Sequence, residues 1–214
     1  MNLEYENLIN SLVKDGYLKT PEIIEAFGAT DRADFVLEEY KKDAYVNAPL
    51  PIGFGQTISQ PLTVAFMLEL LEPKKGEKIL DVGVGSGWTA ALLAHIVGDL
   101  PAGGRIIGIE RIPELKDMAE KNVSKYNYTE KGIVLIVLGD GSKGYKKDTH
   151  YDKIIAGAAA YGEIPQEWKK QLKIGGRIVA PVGHSVVVID KTGKDEFSKK
   201  EYFGFSFVPL VNNR

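Results

Sequence analysis

The stretch Leu80-Asp81-Val82-Gly83-Val84-Gly85-Ser86-Gly87 sets a carboxylate and three glycines between the run Lys78-Ile79-Leu80 and the helix-like Trp88-Thr89-Ala90-Ala91-Leu92-Leu93-Ala94. Residues of these types at a strand-to-helix turn suit a nucleotide-like ligand. Glycines let backbone approach the ligand, and a helix start offers free N–H groups. The spacing is D-x-G-x-G-x-G rather than G-x-G-x-x-G, which argues against a dinucleotide. A carboxylate repels a pyrophosphate but attracts the amino group and sulfonium of S-adenosylmethionine. On these residues alone, a ligand-free tight turn with Asp81 bonding the turn N–H groups stays open.

Two more strand ends carry acids. Arg105-Ile106-Ile107-Gly108-Ile109-Glu110 reads as a second strand whose final carboxylate is placed to accept from both ribose hydroxyls. The interval from Asp81 to Glu110 exceeds the usual spacing of about 20 residues, and the turn-rich stretch Gly98–Gly104 accounts for the excess. A third strand, Ile133 to Leu138, runs into Gly139-Asp140-Gly141. Asp140 there is an acceptor for an adenine amino group, although Asp-Gly is also an ordinary turn dipeptide. Three strand ends, each with an acid or a glycine, make one ligand-binding edge.

The elements that must hold this edge alternate from residue 76 onward. Strands are expected near 78–84, 105–110, 133–139, 152–158, 176–182, 185–191 and 202–210, and helices near 87–97, 113–126 and 165–172. The early strands are nearly all apolar, as in a parallel sheet covered on both faces. Gly175-Gly176 and Gly183-His184 mark turns. The last strands follow one another without a helix, so the sheet should end antiparallel. The expected fold is α/β, Rossmann-like, with residues 76–214 as its core. Residues 1–75 read as a helical extension packing on it, one compact domain in all. Leu3, Leu8, Leu12 and Val13 have helical spacing, Thr20-Pro21 opens a second short helix, and Thr30–Val36 begins another. Asn47–Pro61, with three prolines and two glycines, cannot be a long regular element. Its Ile52, Phe54 and Ile58 need burial, so it reads as an active-site lid leading into a helix over 61–71.

Composition narrows the class. The chain has 214 residues, enough for a sizeable core, and a formal net charge of −2, so no basic field points to nucleic acid. It has no cysteine, which excludes a disulfide framework and any cysteine-ligated metal. The start, Met1-Asn2-Leu3-Glu4-Tyr5-Glu6, is acidic and does not read as a signal peptide, and no run of about 18 apolar residues occurs. The expectation is a cytoplasmic monomer. His95, His150 and His184 are isolated and read as surface or packing residues, and Lys143, Lys146 and Lys147 as a solvated loop edge.

At this point a family resemblance enters. Gly55-Gln56-Thr57-Ile58-Ser59-Gln60-Pro61 followed by the glycine motif resembles the protein-L-isoaspartate (D-aspartate) O-methyltransferases. Further matches follow in the family's order: Pro49-Leu50-Pro51-Ile52-Gly53, Ile109-Glu110-Arg111, Gly139-Asp140-Gly141, Tyr151–Ile155, Gln171–Gly176, Pro181-Val182-Gly183 and Phe207-Val208-Pro209-Leu210. The similarity spans roughly residues 31–211; the glycine motif is widespread, whereas the serine loop together with the F-V-P-L end is particular to this family. The resemblance implies a class I S-adenosylmethionine-dependent methyltransferase fold. It implies methyl transfer to the α-carboxylate of L-isoaspartyl residues, and to the β-carboxylate of D-aspartyl residues, in damaged proteins and peptides. The ester then falls back to a succinimide, and repeated cycles restore aspartate. Ser59 corresponds to the family's active-site serine; Gln56, Thr57 and Ile58 line the site beside it. Asp81, Gly83, Gly85, Ser86, Gly87, Glu110, Asp140 and Gly141 fall at cofactor positions. S-adenosyl-L-methionine is the implied cofactor and S-adenosyl-L-homocysteine its product, with no metal and no nucleic-acid or membrane partner.

The chemistry agrees with these residue types. A carboxylate with a pKa of about 3.5 is already ionised and needs no general base. The enzyme has to align the reacting atoms and remove water, so the lack of a His or Cys constellation is expected. One hydroxyl, that of Ser59, can orient one carboxylate oxygen. Without the resemblance, Ser59 reads as a cap for the helix at Pro61. The competing functions are a methyltransferase of the same scaffold acting on another carboxylate and a cofactor-binding protein without catalysis. Trp88 stands where the family usually has tyrosine, and Val64 where some relatives carry a histidine that touches the cofactor.

Overall fold

The computed structural model describes residues 2–98 and 103–211. In chain order the elements are α1 (Leu3–Lys14), α2 (Pro21–Ala29), β1 (Leu50–Gly53), β2 (Gln56–Ile58), α3 (Pro61–Leu71), β3 (Lys78–Val82), α4 (Trp88–Val97), β4 (Arg105–Glu110) and α5 (Pro113–Ser124). They continue with β5 (Val134–Leu138), β6 (Tyr151–Ala156), α6 (Gln166–Gln171), β7 (Leu172–Val182), β8 (Ser185–Lys191) and β9 (Phe197–Phe203). The main sheet has seven strands in the order β5-β4-β3-β6-β7-β8-β9. From β5 through β7 the pairs are parallel; β7–β8 and β8–β9 are antiparallel.

The chain runs outward from β3 to β5 and then returns to lay β6 on the other side of β3. That reversal creates a crevice at the carboxyl ends of β3, β4 and β6, the place where open α/β sheets bind ligands. Every residue of β3 after Lys78 and of β4 after Arg105 is buried, as sequences free of alternation require. One face of the sheet is covered by α6, whose Trp168 is fully buried and donates its indole N–H to the Gly141 carbonyl at 2.8 Å. The other face is covered by α4 and α5 and by the N-terminal helices. Tyr5, Leu12, Ile23 and Phe27 share one apolar cluster with Ala91, Leu92 and Val97 of α4. This explains why α4 is apolar all round: the sheet takes one side and α2 the other.

The sequence reading differs from the structure in three places. The last strand covers Phe197–Phe203, not 202–210. Its Ser198-Lys199-Lys200-Glu201 centre is exposed and charged, which keeps a bare sheet edge from pairing with another chain. The apolar residues beyond it turn away at Gly204, which has φ +108°, and line the cleft. Gly175-Gly176 is not a turn between elements but lies in β7, where the register against β6 slips. The segment 47–61 contains a hairpin, β1–β2, with Gly53, Phe54 and Gly55 all at positive φ at its tip. Of the turn-rich stretch 98–104, residues 99–102 lie outside the described residues.

Candidate active site

A cleft of three adjoining lobes opens at the carboxyl edge of β3, β4 and β6. The inner lobe, about 560 Å³, is lined by Ser59, Val64, Asp81, Gly85, Ser86 and Trp88 among others. A side lobe of about 620 Å³ meets Gln56, Glu110, Ile112, Gly141 and Val208–Val211. An outer lobe of about 730 Å³ is open to Pro49, Ser59, Gln60, Thr63, Ser206 and Phe207. Thr57 and Gly157 border all three lobes, and Ser59 stands where the inner lobe meets the outer.

The glycine turn after β3 is shaped by backbone that side chains resist. Gly85 has φ +55°, and a Cβ there would lie 3.2 Å from Ile52 Cδ1 of the hairpin. Gly83 also lines the cleft. Gly87 does not: its Cβ would sit 3.0 Å from Val123 Cγ2 and 3.1 Å from the Ala119 carbonyl, so it serves the close approach of α4 to α5. Ser86 lines the inner lobe, and its carbonyl accepts from Asn122 Nδ2 of α5 at 3.0 Å.

The three acids meet different surroundings. Asp81 is buried, and its Oδ2 has no hydrogen-bond partner among the described residues. Burial, reinforced by the nearby Glu110 carboxylate, pushes its carboxyl up to about 7. Glu110 is held by backbone: Oε2 accepts from Gly85 N–H at 3.0 Å, and Oε1 from Arg111 and Ile112 N–H at 2.8 and 3.0 Å. Asp140 is not among the residues that line the three lobes, although its Oδ2, like that of Asp81, is buried without a hydrogen-bond partner among the described residues. Its Oδ1 accepts from the Ser142 N–H and hydroxyl at 3.0 and 2.7 Å, and Lys143 Nζ lies 3.4 Å from Oδ2. Burial pushes Asp140 up, but the Ser142 donors and Lys143 outweigh it and leave the carboxyl below the ordinary range. Its neighbour Gly141 does line the side lobe; a Cβ there would meet Val82 Cγ1 at 2.5 Å.

Ser59 is not the cap of α3. Gln60 occupies the cap position without a side-chain bond, and the Leu62 N–H is taken by Asn47 Oδ1 at 3.0 Å. The Ser59 hydroxyl has no hydrogen bond to any described residue, which leaves it free to meet a ligand at the junction of the two lobes. Ile58 is buried and lines the inner lobe beside it.

Sequence reasoning missed the far wall. Residues 204–211 cross back over the carboxyl end of β6, where the Ala159 N–H donates to the Val208 carbonyl and the Leu210 N–H to the Ala159 carbonyl, both at 2.8 Å. Phe205 stacks on Phe66 of α3 at 5.0 Å and anchors this strap. The F-V-P-L signature flagged these residues, but as a strand. Trp88 walls the inner lobe with a buried Nε1 that lacks a partner. Among the described residues no group of three or more His, Asp or Glu side chains is arranged to hold a metal, and no helix is long and apolar enough to cross a membrane.

The geometry has counterparts in known proteins. A family model described as Protein-L-isoaspartate(D-aspartate) O-methyltransferase (PCMT) matches residues 3–214. The chain belongs to this family. A protein-L-isoaspartate O-methyltransferase of Methanopyrus kandleri is 42% identical over 96% of this chain and 90% of its own length. Protein-L-isoaspartate O-methyltransferase 2 of Archaeoglobus fulgidus is 45% identical over 88% and 84%. A crystal structure of a Plasmodium falciparum protein of this type, described there as putative and in complex with S-adenosyl-L-homocysteine, superposes with a TM-score of 0.88. It covers 98% of this chain and 99% of the other at 23% identity, and so speaks to the fold alone. The mostly parallel sheet with an antiparallel end is thus the methyltransferase fold expected of the isoaspartate O-methyltransferase family.

Proposed function

We propose that the protein transfers a methyl group from S-adenosyl-L-methionine to the α-carboxylate of L-isoaspartyl residues, and to D-aspartyl residues, in damaged proteins and peptides. Family membership supports the reaction class. The observation that carries the site is Ser59: an uncommitted hydroxyl at the passage between the inner lobe and the outer one. The chain's residues fit the cofactor. Asp81 has a buried oxygen without a donor, which a ligand's ammonium would satisfy. Glu110 already accepts three N–H groups, and it lines the side lobe where ribose hydroxyls would lie. Ile112 and Gly141 flank the same lobe and leave room for a flat base. Thr57, Gln56 and Ile58 form the near wall, and the strap 206–211 the far one.

When bound, S-adenosyl-L-methionine supplies an activated methyl on its sulfonium. The residues of the chain need only hold and orient the acceptor. A peptide carboxylate entering the outer lobe is ionised at neutral pH, so no side chain has to take a proton. The Ser59 hydroxyl donates to one carboxylate oxygen and leaves the other free to react. Phe207 and Val208 line the outer lobe beside that point and give it an apolar wall.

The proposal takes the protein as a cytoplasmic monomer, and the net charge of −2 gives no field for nucleic acid. The test is transfer of labelled methyl from S-adenosyl-L-methionine to matched peptides containing L-isoaspartate or L-aspartate. Base-labile label on the isoaspartyl peptide alone is the expected result. Label on neither, with S-adenosyl-L-homocysteine still bound, would move the acceptor to another carboxylate or remove catalysis.

A further inference from the structure

We infer that Arg32 is the positioning residue that fixes Ser59 for the acceptor carboxylate, an inference that rests on the function proposed above. Arg32 lies in a short 3-10 turn, Arg32–Phe35, far in sequence from every site motif, and its side chain is fully buried. No carboxylate among the described residues pairs with it. Its partners are four backbone carbonyls: Nη1 donates to Ala44 O at 2.7 Å and Val46 O at 3.1 Å, and Nη2 to Ala48 O at 2.8 Å and Ser59 O at 3.2 Å. Nε has no partner. The guanidinium also lies over the Trp88 ring, 5.4 Å from its centroid.

A buried guanidinium without a counter-ion is a costly way to fill space; an apolar side chain of the same volume does it more cheaply. What the guanidinium does that an apolar residue cannot is draw separate stretches of backbone onto one point. The segment 44–48 leads into Pro49, which borders the outer lobe, and Ser59 sits where the outer lobe meets the inner. None of these four carbonyls lies in a helix or strand; the Val46 carbonyl also accepts the Ala48 N–H at 2.8 Å. Asn47 adds a second tie, since its carbonyl accepts from Gln60 Nε2 at 2.9 Å and its Oδ1 from the Leu62 N–H. Through Trp88, the same cation is packed against the wall of the inner lobe. Arg32 thus joins the loop that presents the hydroxyl to the wall that would face the cofactor, without reaching the cleft itself. Its charge survives burial, since the guanidinium pKa falls only to about 10. The planar fork matters as much as the charge: the compact ammonium of lysine has no rigid pair of arms to span both carbonyl sets.

The experiment compares the full-length wild type with Arg32→Lys and Arg32→Met. Its readouts are kcat/KM on an isoaspartyl peptide, affinity for S-adenosyl-L-homocysteine by calorimetry, and amide hydrogen exchange. For Arg32→Lys, kcat/KM should fall at least tenfold while S-adenosyl-L-homocysteine affinity stays within threefold. Exchange over residues 44–60 should quicken while β3 and β4 keep their protection. In a Ser59→Ala background the same substitution should cost less than threefold, because the residue it positions is gone. If Arg32→Met does not fold, the lysine variant and the double variant still decide the matter. Wild-type kcat/KM and exchange in Arg32→Lys would overturn the inference. So would a full additive loss in the Ser59→Ala background, or a parallel loss of ligand affinity and of β3 and β4 protection, each of which marks plain packing. A wild type unable to methylate the peptide would instead overturn the proposed function, while exchange over 44–60 would still report whether Arg32 holds the loop.

Discussion

Glu110 Oε2 accepts the Gly85 N–H at 3.0 Å, so the end of β4 holds the glycine turn that leaves β3. The carboxylate is therefore both a proposed ribose acceptor and a staple between neighbouring strand ends. Glu110→Ala should weaken S-adenosyl-L-homocysteine binding by about 1–3 kcal/mol, the cost of stranding buried donors. It should also lower the melting temperature of the ligand-free protein. Calorimetry and a thermal scan check the two effects separately; unchanged affinity would take Glu110 out of the site.

Asp81 gives a pH dependence with a definite sign. Its carboxyl is raised from 3.8 to about 7 in the folded chain. The stability linked to this group is thus fully present below about pH 4 and is lost as pH rises toward 7. A cationic ligand group favours the ionised form, so affinity should rise with pH, by up to about tenfold per unit, and level off above 7. Asp81→Asn should flatten both slopes. Titrations of stability and of S-adenosyl-L-homocysteine affinity between pH 5 and 8 measure them.

Ser59→Ala should keep S-adenosyl-L-homocysteine affinity and lose transfer. One hydrogen bond to a charged group is worth about 1.5–3 kcal/mol, which corresponds to a fall in kcat/KM of about 10- to 150-fold. Turnover at the wild-type level would end the role proposed for this hydroxyl.

Gly87→Ala should act on stability. At φ +94°, with a Cβ 3.0 Å from Val123 and 3.1 Å from the Ala119 carbonyl, alanine meets both backbone strain and a crowded helix contact. A loss of about 2 kcal/mol or more is expected, read as a fall in denaturation midpoint. Because Gly87 does not line the cleft, the variant that remains folded should bind ligand as the wild type does.

The parts of the site legible in the sequence are those with local signatures. Asp81, Glu110 and Gly141 each follow an apolar strand, and a parallel sheet brings such ends to one edge. Other parts depend on partners distant in sequence. Gly87 looks like a site residue in the motif, yet it packs against Ala119 and Val123 of α5. β9 escaped notice because an edge strand needs no apolar centre, and the run 205–210 misled because apolar residues walling a cleft resemble a strand. Arg32 carries no local signature; only the fold surrounds it with carbonyls from Ala44 to Ser59.

The strap over 204–211 has a consequence for how the molecule is made. Its Val208–Val211 segment walls the side lobe whose floor is set by residues a hundred positions earlier. A chain emerging during synthesis can form β3, β4 and the glycine turn long before this wall exists. The side lobe is closed only when this segment arrives, so a ligand seated there favours molecules in which the strap is in place. By mass action such a ligand stabilises the completed fold and leaves truncated chains without that support.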